Sequence, residues 1–329
     1  MPSAQKRTQR FHRAGAILLA VALSAAAGLA VAQERKPIPG TSVSLVAPKG
    51  FEPANGFAGL ANQKTQASVL IVEMPAEAYP QLATLFNDSE SAKLNFARQK
   101  VNIAKVEQVD GAGGEKVPLL SGTQDAGGAR LDKWIALFKG PKTVMMTVQA
   151  PQGAKLQTAE VKALVASVSL GKEASLDEKL AALPFTIKTA APFRVVDTIG
   201  GAGVLMTTGE RNVDPSGTQP LMIAAYQMSA PITPGQEEKL SETMLRSTRD
   251  MQTAEIKERR RVPFAGQNGM LLSGSFKHPN GSDKGFVQYL AIGPGGRFVR
   301  LIVLADEPEM PKLQPAVEQT AASIAFAPQ

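Results

Sequence analysis

A chain of 329 residues predicts about two domains, and its 43% hydrophobic content is that of a globular protein, too high for a disordered one. Cysteine is absent, which excludes disulfides, a thiolate nucleophile, iron–sulfur clusters and cysteine-ligated zinc. Lys6, Arg7, Arg10 and Arg13 supply four charges of the net +7, and the +3 that remains without them requires no polyanion, so nucleic acid is not expected as a partner.

Those four basic residues open a segment that reads as a signal peptide over 1–32. Ala14 to Val31 is apolar and alanine-rich, and Ala30-Val31-Ala32 has the small-x-small pattern of a cleavage site before Gln33. The rival reading is an uncleaved membrane anchor; alanine contributes little to insertion, which favours cleavage. No cysteine stands at the cut, so a lipoprotein is excluded, and the expected destination is a bacterial periplasm or the medium. Past residue 32 no window is apolar over the roughly 20 residues that a membrane span needs.

Residues 33–40 hold two prolines and several charges and read as a flexible lead-in. A first module is expected over 41–170. Short strands fall around Val43–Val46 and Phe57–Ala61, with turns at Pro48-Lys49-Gly50 and Asn55-Gly56. Ala67–Met74 is a strand apolar on both faces. Leu82, Leu85, Phe86, Leu94 and Phe96 place an apolar stripe on a helix over 81–100, which Asn87-Asp88-Ser89 interrupts or re-caps. Four strands follow, at about 103–110, 116–124, 131–139 and 142–150, joined by turns short enough for an antiparallel meander. Val161, Leu164, Val165 and Val168 give a closing helix one apolar face.

A linker over 171–183 carries a short helical stretch at Leu176–Leu180, and a second module over 184–329 repeats the order. Leu221–Met228 is its buried strand, preceded by a longer turn at Asp214–Gly217. A helix over 236–253 has Leu240, Met244 and Met251 on one side. Strands are expected at about 256–263, 268–277, 284–292 and 297–305, and Leu313, Val317, Ala321 and Ile324 close with a helix. The tetrapeptide Leu119-Leu120-Ser121-Gly122 returns as Leu271-Leu272-Ser273-Gly274. Each copy is followed by a turn, an apolar strand and a Gly-Pro pair (Gly140-Pro141, Gly293-Pro294). Matching landmarks drift from 142 to 157 residues apart, as loop insertions would make them. Phe298–Leu304 is apolar on both faces apart from Arg300, the pattern of a strand covered on both sides. The fold class is therefore α+β: two tandem α/β/α sandwich modules, each a mostly antiparallel sheet flanked by helices.

The order of elements resembles the PsbP-like superfamily, a fold shared by the PsbP subunit of photosystem II and the Ran-binding Mog protein. The likeness is carried by the opening Val43-Ser44-Leu45-Val46-Ala47-Pro48-Lys49-Gly50-Phe51, the strand Ala67–Met74, the long helix, the meander with Leu119-Leu120-Ser121-Gly122 and Trp134, and the end Ser167-Val168-Ser169-Leu170. It covers about 130 residues of the first module and, more faintly, about 145 of the second. The resemblance implies action by binding other proteins and supplies no catalytic residues; function taken from fold alone is analogy.

Chemistry is sparse. His278, the one histidine past residue 32, adjoins the turn signal Pro279-Asn280-Gly281 and reads as an exposed turn residue. Ser273 and Ser275 lie on its own strand, and no Gly-x-Ser-x-Gly elbow accompanies them. No metal or cofactor is expected: one histidine without cysteine makes no ordinary zinc or copper site. Gly111-Ala112-Gly113-Gly114 and Gly200-Gly201-Ala202-Gly203 lack the spacing of phosphate loops and read as turns. Glu237-Glu238 suits a helix N-terminus, and Glu307 with Glu309 falls in a proline-rich loop, so neither pair is read as an acid–base couple. Trp134 and Tyr289 read as core. The run containing Lys257, Arg259, Arg260 and Arg261 is the candidate partner-docking patch, set against a solvated strand edge whose charges discourage pairing. The function expected is that of an exported, non-catalytic binding or accessory protein of the envelope, its partner an unidentified envelope protein or a small ligand. The alternatives are a hydrolase-type enzyme with a carboxylate and serine cleft, or a small-ligand carrier. A cleft of clustered ionisable groups would favour the enzyme, and an apolar one the carrier.

Overall fold

In the computed structural model, which describes residues 34–126, 128–212, 214, 216–228 and 235–328, strand pairing builds two seven-stranded sheets of the same topology. Residues 1–32, expected to be a signal peptide, lie outside the described residues. From Arg35 onward the chain forms one unit. It begins with β1 (Lys36–Pro37), β2 (Val43–Leu45), β3 (Glu52–Pro53), β4 (Gly59–Asn62) and β5 (Ala67–Met74), followed by α1 (Ala78–Asn87) and α2 (Ser89–Ala97). The meander β6 (Val101–Asp110), β7 (Lys116–Ala126), β8 (Ala129–Phe138) and β9 (Thr143–Pro151) leads to α3 (Thr158–Ser167) and β10 (Ser169–Leu170). The linker holds α4 (Leu176–Ala181). The second module runs through β11 (Phe185–Thr186), β12 (Arg194–Ile199), β13 (Gly203–Thr207), β14 (Leu221–Gln227) and α5 (Glu237–Arg246). It ends with β15 (Glu255–Phe264), β16 (Gln267–Lys277), β17 (Asp283–Ile292), β18 (Phe298–Asp306), α6 (Met310–Ser323) and β19 (Ala325–Phe326).

The sheet orders are β3-β4-β5-β9-β8-β7-β6 and β12-β13-β14-β18-β17-β16-β15. The edge strands even share an irregularity: a bulge falls between Ile103 and Lys105 in β6 and between Ile256 and Glu258 in β15. A bulge bends and twists a strand at one defined register. Its recurrence puts the two copies of Leu-Leu-Ser-Gly at equivalent places and makes the duplication a matter of register as well as order.

Helices cover both faces of each sheet. In module 1, Val161, Leu164 and Val165 of α3 pack with Leu119, Trp134 and Phe138, while Phe86 of α1 packs with Leu120, Ile135 and Leu137 on the opposite face. In module 2, Leu313 and Val317 of α6 meet Leu271, Tyr289 and Leu301, and Leu245 of α5 meets Met270, Leu272 and Ile302. Each such buried side chain stabilises the fold by about 1.5–3 kcal/mol relative to exposure.

Two expectations change, and one alternative left open, the interruption or re-capping at Asn87-Asp88-Ser89, is resolved as a re-cap. The 33–40 stretch is not a free lead-in where it is described: Lys36 and Pro37 pair with β2 and Ile38 is buried, an apolar anchor that the prolines and charges around it hid. The helix over 81–100 is two helices. Asp88 leaves helical angles (φ −113°, ψ 116°), and its carboxylate accepts from the N–H groups of Glu90 and Ser91 to cap α2. The helix over 236–253 ends at Arg246. The Thr248 hydroxyl donates back to the Met244 carbonyl and Asp250 takes a left-handed φ of 65°. Met251 therefore enters the core from a turn, packed with Leu245, while Leu240 and Met244 join a separate cluster.

Among the described residues, ties between the modules include the following two. Lys179 of α4, buried, bridges Glu173 of the linker at 2.7 Å and Asp197 of β12 at 2.9 Å, and Glu173 also meets Lys142 of module 1 at 3.0 Å. The Ala58 N–H donates to the Gly200 carbonyl at 3.1 Å. Beside it Gly201 has φ 66°, and a Cβ there would stand 2.5 Å from the Ala58 nitrogen, so the close approach needs glycine.

Candidate functional site

The equal register lets the two modules be compared side chain by side chain on the face covered by α1 and by α5. At the outer end of that face, module 1 presents Ser68, Gln124, Lys133 and Gln149; Lys133 pairs across to Gln149 and donates to Gln124. The equivalent positions of module 2 are Leu221, Phe276, Phe286 and Leu304, with Leu205 where module 1 has Gly59. Module 2 has thus placed an apolar wall where module 1 meets solvent with polar groups. In mid-sheet the exchange runs the other way. Ile135 and Met145 are matched by Gln288 and Arg300.

A cleft of about 400 Å³ opens at the apolar end, with Val196, Leu205, Leu221, Phe276 and Leu304 as its floor. Loop length creates it. Strands β4 and β5 are joined by residues 63–66, whereas β13 and β14 are joined by residues 208–220, whose described members line the cleft and meet the β16–β17 hairpin. Arg211, Asn212, Asp214 and Gln219 of the loop, with His278 and Lys284 of the hairpin, make the polar wall.

The loop is knotted around Asp214. Its carboxylate accepts from the Ser216 hydroxyl at 2.5 Å, the Gln219 N–H at 2.6 Å, the Thr218 hydroxyl at 3.2 Å and Arg211 Nη2 at 3.1 Å. These bonds, the Ser216 hydroxyl foremost and the Gln219 N–H next, hold the carboxyl well below the usual range. Arg194 braces the start of the loop through the carbonyls of Gly209 (2.9 Å) and Glu210 (2.7 Å) and the Asn212 side-chain oxygen (2.8 Å). At the tip, Asn280 Nδ2 donates to the Ser216 carbonyl at 3.3 Å and Lys284 Nζ to the Gly217 carbonyl at 2.7 Å. Lys284 is itself buried and paired with Asp306 at 2.6 Å.

His278 sits in the expected hairpin turn but is half-buried, its ring against Gly217, because the long loop leans on it. Its Nδ1 accepts from the Asn280 N–H at 3.4 Å. Ser216 gives its hydroxyl to Asp214 and Ser273 gives its own to Glu258, so among the described residues no serine–histidine hydrogen bond prepares a nucleophile. No group of metal-binding side chains occurs among the described residues. Glu237 is spent on the Gly235 N–H (2.8 Å) and Arg261 (3.3 Å), and Glu307 on Lys257 (2.7 Å). Trp134 and Tyr289 are buried in the cores on equivalent strands, and the glycine clusters are turns.

The candidate docking run lies on the free edge strand β15. Lys257 occupies the bulge and pairs with Glu307; Arg259 lies within 3.6 Å of Glu242, Arg260 within 3.0 Å of Glu258 and Arg261 within 3.3 Å of Glu237. The cations form a row of ion pairs along the edge, two of them reaching to α5.

Neither the apolar floor nor Lys284 stood out in the sequence. The signal was a difference between copies, Leu221 for Ser68 and Leu304 for Gln149, together with the longer turn at Asp214–Gly217.

No helix of the described residues is long and apolar enough to cross a membrane. No family model matches the sequence, and no curated protein matches it. Similar solved structures include LpqN, involved in cell envelope biogenesis of Mycobacterium tuberculosis, at 18% identity over 44% of this chain and 84% of that one, with a TM-score of 0.35. The immunity protein TplEi of T6SS from Pseudomonas aeruginosa is 10% identical over 90% of this chain and 97% of its own, with a TM-score of 0.33. The Tle4–Tli4 complex gives 10% identity over 86% and 99%, with a TM-score of 0.32. Likenesses of this size assign no family.

Proposed function

We propose that this chain is an exported, non-catalytic binding protein of the bacterial envelope, in which module 2 holds a small amphipathic ligand. The observation that carries this reading is the cleft of about 400 Å³ under residues 208–220, floored by leucines at register positions that module 1 gives to polar side chains. Ligand sites are typically concave, apolar and few, with a small set of polar groups. Of the wall's ionisable groups, Asp214 is bonded to Arg211 within the loop and Lys284 to Asp306 and the Gly217 carbonyl, which supports holding over turnover. Export rests on the basic and alanine-rich pattern of 1–32. The PsbP-like resemblance implies action by binding other proteins, which supports binding over catalysis and says nothing of a small ligand.

The test is a titration of the purified chain with the apolar fluorophore 1-N-phenylnaphthylamine. Binding to the parent protein, and its loss in Leu205→Trp, which fills the floor, is the expected result. Undiminished binding by Leu205→Trp would move the site elsewhere, and no binding at all would end the small-ligand reading.

A further inference from the structure

We propose that the ligand of this cleft carries a hydrogen-bond-accepting head, a carboxylate or ester carbonyl, on an apolar body; the inference rests on the cleft being the ligand site. Its basis is the wall's unspent hydrogen-bonding capacity. Among the described residues the wall's side-chain acceptors already have partners: both Asp214 oxygens accept from the loop, Gln219 Oε1 accepts from the Arg211 N–H, and Thr207 Oγ1 accepts from the Gly209 N–H. What is left over are donors. His278 accepts at Nδ1, which leaves Nε2 as its donor. Lys284 has three N–H groups and gives two, to Asp306 and the Gly217 carbonyl. Asn212 spends its side-chain oxygen on Arg194, which leaves both amide hydrogens. A wall of donors above an apolar floor satisfies an acceptor head and leaves a donor head unpaired, at a desolvation cost of about 1–3 kcal/mol.

Size follows from volume. At roughly 30 Å³ per heavy atom in a condensed phase, a cleft of about 400 Å³ holds on the order of 13 heavy atoms, the size of a ten-carbon acid.

The experiment is displacement of the bound fluorophore from the full chain by decanoate, methyl decanoate and decylamine, which share their chain and differ in head. Both acceptor-headed probes are expected to displace it at concentrations about tenfold below decylamine, the effect of one or two hydrogen bonds. In the rim variant Asn212→Ala with His278→Phe the preference should fall to about threefold, because two of the donors are gone while Lys284 and the Nε and Nη1 groups of Arg211 remain. Rim positions are chosen because removing Lys284 would strand Asp306. Equal displacement by all three probes, or a preference untouched in the rim variant, overturns the acceptor-head proposal and leaves the cleft as a site. Failure of the fluorophore itself to bind overturns the cleft reading instead.

Discussion

Arg300 donates through Nε to the side-chain oxygen of Gln288 at 2.7 Å, at the two register positions that module 1 fills with Met145 and Ile135. Gln288 in turn donates to the carbonyl and hydroxyl of Ser241 on α5, at 2.8 and 2.7 Å, and Arg300 Nη2 reaches the Thr248 hydroxyl at 2.7 Å. This polar bridge divides the apolar face under α5 into two clusters where module 1 has one. Burial pushes the Arg300 guanidinium down to about 10, so it stays charged at neutral pH with neutral partners. Gln288→Ile should therefore cost about 2–3 kcal/mol in urea unfolding, because it takes an acceptor from a charged group. Adding Arg300→Met restores the module 1 pair and should recover most of that loss. A double variant no more stable than Gln288→Ile would show that the bridge acts through something other than the pair.

The cleft floor can be exchanged in the same way. Leu221→Ser with Leu304→Gln installs the residues of module 1 at equivalent positions on β14 and β18. Both leucines are only half-buried, so stability should fall by about 1 kcal/mol or less, while affinity for an apolar probe should fall about tenfold with the lost floor contacts. Thermal unfolding and fluorophore titration separate the two effects.

How far this was legible in the sequence depends on what each feature needs. Alternating strands, glycine turns and the repeated Leu-Leu-Ser-Gly need only local pattern, and they yield the two sandwich modules. Asp88 was visible in the sequence as either an interruption or a re-cap, and the choice between them needed the backbone angles. The end of α5 was missed because Met251 keeps helical spacing with Met244 although a left-handed Asp250 stands between them. The cleft was not visible because its floor residues come from β12, β13, β14, β16 and β18, and only strand register says which leucines share a face. Arg300 was noticed as the polar exception in β18, yet its partner Gln288 could not be named without the pairing.

The linker clamp carries a pH signature. Glu173 is held below its usual value, chiefly by the bond from Lys179, against desolvation. An acid with a depressed folded pKa adds stability above its unfolded value, about 4.3, and loses it as pH falls through the folded one. Burial, the largest influence on Lys179, pushes it down, but its bonds to Glu173 and Asp197 outweigh that and raise it. That contribution is complete below about 10.4 and is lost as pH rises through the raised value. Lys179→Met should cost about 1 kcal/mol, since both carboxylates are partly exposed and rehydrate. The deficit should be widest between roughly pH 5 and 10 and shrink on either side. A deficit independent of pH would mean that packing, not charge, is what Lys179 supplies.

Along β15 the four cations should be unequal. Arg260 pairs with the exposed Glu258, so Arg260→Ser should change stability by no more than about 0.5 kcal/mol. Arg261 faces Glu237, whose side chain is only 6% exposed. Burial is the largest influence on that carboxyl and pushes it up, while the Gly235 N–H and Arg261 outweigh burial and hold it down. Arg261→Ser removes one of these, and should cost about 1–2 kcal/mol at neutral pH. The two single variants, compared by urea unfolding, distinguish a cation that holds α5 from one that is merely solvated.

Asp214 ties the covering loop to the cleft it closes. Four donors converge on its carboxylate, all from residues 211–219, and the folded tip then offers the Ser216 and Gly217 carbonyls to Asn280 and Lys284. Asp214→Ala removes the common acceptor, and the donors have water to turn to, so global stability should change little. The loop itself should open, because loops with few apolar contacts open locally at a free energy well below that of the whole fold. Faster tryptic cleavage after Arg211 should report that opening, and the affinity for the apolar probe should fall with it. The pH dependence has a definite sign. The Asp214 carboxyl is depressed, so its hold on the loop is present above the unfolded value near 3.9 and is released as pH falls through the folded one. The parent protein at neutral pH should therefore resist trypsin where Asp214→Ala does not. Equal cleavage of the two would place the loop's order in Arg194 and Lys284 alone, and the aspartate would be a surface residue with well-made bonds and no part in closing the cleft.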